Sequence, residues 1–82
     1  MHGLALASPV GGGRTTDATV LAQGDLERGC KLTVNGQPLL ADKKSHFSQA
    51  LPLAVGDNHF HFRLSKAGRP DRWYTRTITR DP

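Results

Sequence analysis

The feature that most constrains the fold is a run of six residues in which apolar and polar side chains alternate strictly. Residues 59–64 read His-Phe-His-Phe-Arg-Leu, so Phe60, Phe62 and Leu64 lie two positions apart. A β-strand repeats every two residues, whereas an α-helix repeats every 3.6. The run therefore predicts a strand that places both phenylalanines in a core and leaves the intervening polar side chains in solvent.

Turn signals divide the rest of the chain into further short strands. Asn35-Gly36 follows the β-prone Lys31-Leu32-Thr33-Val34 and favours a type I′ hairpin, because both central residues must accept a positive φ. Proline cannot donate a ladder hydrogen bond, so Pro38 predicts an edge strand or the start of a strand, and Pro52 predicts an edge strand or a bulge. The predicted strands cover residues 4–8, 15–23, 30–34, 39–42, 46–53, 59–64 and 72–80, with 24–29 as a connection and 56–58 and 66–71 as turns. This spacing predicts a single antiparallel immunoglobulin-like β-sandwich of about seven short strands.

The last predicted strand leaves two alternatives open. One of its sides would carry Trp73 with three threonines, and the other would carry Tyr74 and Ile78 with arginines. A bulge could instead place both Trp73 and Ile78 in the core.

Length and composition exclude several classes of protein. An 82-residue chain makes one domain, for which we expect a flexible lead at 1–3 and the sandwich at 4–82. The single cysteine excludes an intrachain disulfide, and no apolar run reaches the roughly 18 residues of a transmembrane helix. The 4–7 segment is too short for a signal peptide, so we expect a cell-surface or secreted location only as part of a larger exported protein.

The net charge of +4 is concentrated late in the chain. The candidate ligand contacts are the aromatic and basic residues Arg69, Arg72, Trp73, Tyr74 and Arg76. Arginines attract phosphate or acidic polysaccharide, and aromatic rings stack on sugars or bases. The competing interpretation is a solvated basic face with one of the two aromatics in the core.

Catalytic, metal and cofactor sites are not predicted. His59 and His61 could share a zinc ion only with a third ligand, for which His46 is the candidate, and exposed strand positions explain the pair more simply. Cys30 begins a strand without an activating motif, which favours a small, buried, apolar thiol over a nucleophile. The carboxylates lie in or beside predicted turns, where they bond backbone amides. We therefore expect no enzyme and no cofactor.

The order of these motifs resembles a known module. The series begins with Ser8-Pro9, the glycines, Thr15-Thr16 and Gly24. It continues with Cys30-Lys31-Leu32-Thr33-Val34-Asn35-Gly36 and then Phe47. It ends with Leu51-Pro52-Leu53, Gly56-Asp57-Asn58 and Arg76-Thr77-Ile78-Thr79. The pattern resembles the bacterial immunoglobulin-like modules of the glucodextranase B-type domain family. Ser45-His46 stands where the family usually has a glycine before the aromatic, so we expect different backbone angles there. The loop at 65–71 lacks the family's first acidic residue, which argues against calcium.

The resemblance implies a non-catalytic accessory or spacer module that mediates structural assembly or adhesion in a bacterial surface or secreted protein. Its partners would be neighbouring domains, another protein, or a glycan or polyanion, without membrane insertion. Two alternatives remain: a small stand-alone virion or assembly (decoration) protein, and a polyanion- or carbohydrate-binding module that uses the late basic and aromatic strand.

Overall fold

The computed structural model describes residues 4–8 and 13–82, and this part of the chain is all-β. Its eight strands are β1 (Leu4–Ser8), β2 (Gly13–Thr15), β3 (Thr19–Leu26), β4 (Cys30–Val34), β5 (Gln37–Leu39), β6 (His46–Pro52), β7 (Gly56–Lys66) and β8 (Arg72–Arg80). The predicted fold class is confirmed. The flexible lead expected at 1–3 lies outside the described residues.

Two sheets form the sandwich. One has the order β1-β3-β6 and the other the order β2-β8-β7-β4-β5. Strands β8-β7-β4-β5 follow the G-F-C-C′ order of an immunoglobulin-like sheet, and β1-β3-β6 follows A-B-E.

The short strand β2 departs from the predicted antiparallel arrangement. Gly13, Arg14 and Thr15 pair in parallel with Ile78, Thr79 and Arg80 of β8. Three residues are too few to show an alternation, and their partner lies at the far end of the chain. Local pattern therefore predicted a loop for Gly13 and an earlier start for β3.

The ends of a strand also differ from the prediction where pairing with another strand determines them. Gly24 and Asp25 were predicted to lie in a connection, yet they pair with Phe47 and His46 of β6 and extend β3 to Leu26. Pairing with β6 outweighs the weak strand propensity of glycine and aspartate.

The Asn35-Gly36 turn is confirmed and sets the register of the hairpin that follows. Asn35 has a φ of 48° and Gly36 a φ of 84°, as a type I′ turn requires. A two-residue loop pairs Val34 directly with Gln37, so β5 spans Gln37–Leu39 instead of the predicted 39–42.

The core consists of alternate apolar residues from both sheets. Phe62 is fully buried, and Phe60 and Leu64 lie on the same side of β7, as predicted. The buried set is Ala22, Leu26, Leu32, Val34, Leu39, Phe47, Leu51, Leu53, Phe60, Phe62, Leu64 and Ile78.

Strand β8 has a regular register, which resolves its two alternatives. Its pairing with β7 runs without a shift from Gly56 opposite Arg80 to Leu64 opposite Arg72. Tyr74 packs against the core and Ile78 lies within it, whereas Trp73 is 62% exposed. The bulge that would bury both Trp73 and Ile78 is therefore wrong.

The sandwich is open along one side, between the edge strands β5 and β6. Both strands carry the proline that predicted an edge position, Pro38 and Pro52. A groove of about 640 Å³ lies between them, and buried side chains such as Leu39 and Leu51 form its floor. Gln49 shares the inward side of β6 with Leu51 but stays exposed, because no strand covers it there.

The β6–β7 connection is held by a side chain predicted to lie in a turn but found in β7. The Oδ1 of Asn58 accepts a hydrogen bond from the Ala54 amide at 2.9 Å. Its Nδ2 donates to the carbonyl oxygens of Ala54 at 2.9 Å, Gly56 at 3.1 Å and Ile78 at 3.2 Å. Asn58 therefore fastens the connection to β8.

Candidate functional site

The outer side of the five-stranded sheet presents an aromatic ring among polar side chains. Residues two apart on a strand share a side, so Trp73 projects outward with Thr75, and β7 adds His61 and Arg63 beside them. We call these four residues the outer face. Trp73 is the large apolar side chain on this face, and the residue is more than half exposed.

An arginine holds the position of this ring. Arg63 lies directly opposite Trp73 in the β7–β8 ladder, and its guanidinium carbon stands over the indole, 5.7 Å from the ring centre. Asp71 binds the same guanidinium, at 2.7 Å from Nε and 2.5 Å from Nη2. The hydrogen bond from Arg63 lowers the pKa of the Asp71 carboxyl, against a weaker effect of desolvation. The three side chains form an ordered cluster that offers an apolar surface beside hydrogen-bonding groups.

A pocket lies at the same end of the sheet, on its inner side. We call it the end pocket; it has a volume of about 170 Å³ and is lined by Glu27, Cys30, Leu64, Lys66, Arg69, Pro70 and Arg72. The ammonium of Lys66 lies 3.5 Å from a Glu27 oxygen, and the Sγ of Cys30 lies 3.8 Å from the other. The lining thus contains three cationic side chains and a single carboxylate.

The structure distributes the five predicted contact residues over three environments. Arg69 and Arg72 line the end pocket, and Trp73 belongs to the outer face. Tyr74 packs against the core. Arg76 is half-buried on the same side of β8, and its Nη1 donates to the Thr75 carbonyl oxygen at 2.8 Å.

Sequence reasoning missed the residues that complete each surface. Arg63 and Asp71 organise the Trp73 ring, while Glu27 and Lys66 complete the end pocket. The strict alternation of β7 was sufficient to predict that Arg63 faces outward. It was not sufficient to predict that Arg63 lies opposite Trp73, because that register depends on the length of the turn between β7 and β8.

The histidines do not converge on a metal site. His46 lies in the three-stranded sheet, where its Nδ1 contacts the Asp25 carboxylate, whereas His59 and His61 lie in the other sheet. The Nδ1 of His59 instead lies 3.0 Å from the Thr77 hydroxyl. Within residues 4–8 and 13–82, no three histidine, cysteine or acidic side chains are grouped to hold a metal ion.

Comparisons with known proteins add no further assignment. A scan against protein-family models and a search of curated proteins each find no match to this chain. No helix in the described part of the chain is long and apolar enough to cross a membrane.

Proposed function

We propose that this domain is a non-catalytic accessory module for adhesion, and that it binds a saccharide chain through the outer face. The observation that carries the proposal is the exposure of Trp73, 62%, on a side of β8 whose other residues are threonines. Leaving a large indole in water forgoes the stabilisation of burying it. A ligand that covers the ring would recover that stabilisation.

The chemistry beside the ring favours a sugar. A pyranose has a face of C–H groups that can pack on an aromatic ring, and an equatorial rim of hydroxyl groups that need hydrogen bonds. Arg63, already fixed by Asp71, supplies N–H donors, and Thr75 and His61 add groups that donate and accept. The outer face therefore offers an aromatic ring for the C–H face of the sugar and hydrogen-bonding groups for its hydroxyls, both on one rigid sheet.

The context we propose is a bacterial surface or secreted protein, in which the domain serves as an accessory or spacer unit. Support comes from the resemblance of its turn motifs to glucodextranase B-type modules and from its two-sheet architecture. In such a setting, adhesion needs a rigid scaffold and a shallow binding face, without catalytic groups. A stand-alone assembly or decoration protein is the alternative proposal, and light scattering distinguishes it by a stable oligomer.

The test is binding to a glycan microarray that displays neutral and acidic oligosaccharides, followed by titration of any bound oligosaccharide. Trp73 is the only tryptophan in the chain, so its fluorescence reports directly on the outer face. We expect a blue shift of the emission and protection from acrylamide quenching as the sugar covers the ring.

The decisive variant is Trp73→Ala, with Leu40→Ala as the matched control. Leu40 is another exposed apolar side chain, at 84% exposure, and lies just beyond the end of β5. We expect Trp73→Ala to weaken binding about tenfold or more, and Leu40→Ala to leave it unchanged. No glycan binding, or binding that survives Trp73→Ala, would refute the proposal.

A further inference from the structure

We propose that the end pocket is a binding site for one small oxyanion group, such as a carboxylate, a sulfate ester or a phosphate ester carried by a partner molecule. The inference goes beyond the saccharide proposal, because it requires neither Trp73 nor a sugar. It rests on where the chain places its cations and on the space between them.

The cations occupy positions that point toward the interior. Leu64 is buried in the core, and Lys66, two residues along β7, lies on the same side of the strand. Arg72 pairs opposite Leu64, and Cys30 pairs opposite Lys66, so these side chains also share the inner side. The sequence thus continues the apolar row of β7 and β8 with two cations at the point where the sandwich ends.

The turn between β7 and β8 adds a third cation to the pocket. The amide of Arg69 donates to the Lys66 carbonyl oxygen at 3.1 Å, which makes this turn tight. Arg69 and Pro70 of this turn line the pocket together with Glu27, which follows β3.

The charges of the pocket are unbalanced. Lys66, Arg69 and Arg72 carry three positive charges, and Glu27 carries one negative charge, so the lining has a net charge of +2. Two other arginines of the sheet each bind an acidic side chain: Arg14 binds Asp81 at 2.7 Å, and Arg63 binds Asp71.

The size of the pocket limits what fills it. About 170 Å³ corresponds to roughly five or six water molecules in the liquid, which suits one oxyanion group with part of its hydration shell. Guanidinium groups bind carboxylates and phosphates through paired N–H donors, and the mixture of two arginines and a lysine fits this class of ligand.

The test is a titration of the isotopically labelled domain with sulfate, replacing chloride at constant ionic strength and followed by backbone amide shifts. Parallel titrations with phosphate and acetate distinguish the sources of the oxyanion. We expect saturable shifts confined to residues 27–30 and 64–72. Shifts that rise linearly, or that are equally large at the Lys43-Lys44 turn, would refute the site, because they report general attraction to positive charge.

Two variants that change the charge of the pocket should alter the affinity for sulfate in opposite directions. Arg69→Ala, in an exposed turn, should weaken sulfate binding about fivefold, and Glu27→Gln should tighten it by a similar factor. The control is Asp17→Asn, which makes the same charge change at the opposite end of the sheet, beyond β2. An Asp17→Asn variant that tightens binding as much as Glu27→Gln would overturn the inference.

The single cysteine provides an independent measurement. Cys30 lines the pocket, so sulfate should slow its reaction with an anionic aromatic disulfide reagent more than its reaction with an uncharged maleimide. Sulfate binding should persist in Trp73→Ala. The proposal for the end pocket can therefore be refuted independently of the proposal for the outer face.

Discussion

Substitution of Asn58 tests whether its side-chain hydrogen bonds hold the β6–β7 connection against the five-stranded sheet. Its side chain makes one hydrogen bond as acceptor, and its Nδ2 lies within 3.2 Å of three carbonyl oxygens. A net hydrogen bond contributes about 0.5–1.5 kcal/mol. Because Nδ2 has only two hydrogens and Ala54 is exposed to water, we expect Asn58→Ala to lower the free energy of unfolding by about 2–3 kcal/mol.

Asn58→Asp separates the loss of hydrogen bonds from a loss of packing. The substitution keeps the shape and one acceptor, but at neutral pH it directs a carboxylate oxygen at the same three carbonyl oxygens. This repulsion raises the pKa of the introduced carboxyl in the folded state. A group whose pKa is raised on folding stabilises the protein at low pH and loses that effect as the pH rises through the folded value. The defect of Asn58→Asp should therefore shrink as the solution is acidified.

The assay is urea unfolding followed by far-ultraviolet circular dichroism at pH 7 and at pH 4. For a domain of this size, 2–3 kcal/mol corresponds to a fall in Tm of about 10–20 °C. Gln49→Glu is the matched control, since it makes the same amide-to-acid change at an exposed position of β6. A loss below about 0.5 kcal/mol for Asn58→Ala, or an Asn58→Asp defect that does not vary with pH, would refute the reasoning.

Three further predictions concern the turn, the core and the terminal ion pair. Ser45 has a φ of 65°, a conformation that glycine adopts most readily, so Ser45→Gly should stabilise the domain by up to about 1 kcal/mol, with a lower Tm contradicting this. Phe62→Ala should cost about 3–5 kcal/mol in urea unfolding, whereas Trp73→Ala should cost less than about 1 kcal/mol; comparable losses would contradict the exposed position of Trp73. The hydrogen bond from Arg14 lowers the pKa of Asp81 below its ordinary 3.8, so its stabilising effect is present above that pH and lost as the pH falls through the folded value. Thermal unfolding between pH 2 and pH 7 should therefore be less pH-dependent in Asp81→Asn; an unchanged profile would argue against this role.

The elements that the sequence predicted well are those whose determinants are local. The alternation of 59–64 specifies a half-buried strand by itself, and Asn35-Gly36 specifies its turn through two positive φ angles. Strand limits that depend on a distant partner were not predictable in this way. Gly24 and Asp25 became part of β3 because β6, more than 20 residues away, continues alongside them.

The sequence predicted which types of residue the candidate site contains, but it did not predict how they are arranged. Arginines and aromatics do cluster late in the chain, but the two sides of β8 carry equally ambiguous residues, so pattern alone could not decide whether Trp73 or Tyr74 faces solvent. The regular register with β7 decides it. The same register brings Arg63 opposite Trp73, and the turn that follows Lys66 brings Arg69 to the pocket.

The parallel pairing of β2 with β8 has a mechanical consequence. If tension enters the chain before β2 and leaves it after β8, the two strands are pulled in opposite directions along their own axes. The backbone hydrogen bonds between these two strands, with the Arg14–Asp81 ion pair beside them, would then be loaded together in shear. Hydrogen bonds that share a load break at a higher force than bonds that open one after another. A domain that holds two objects together under flow would benefit from this arrangement, and stretching single molecules of the wild type and of Arg14→Ala would measure it.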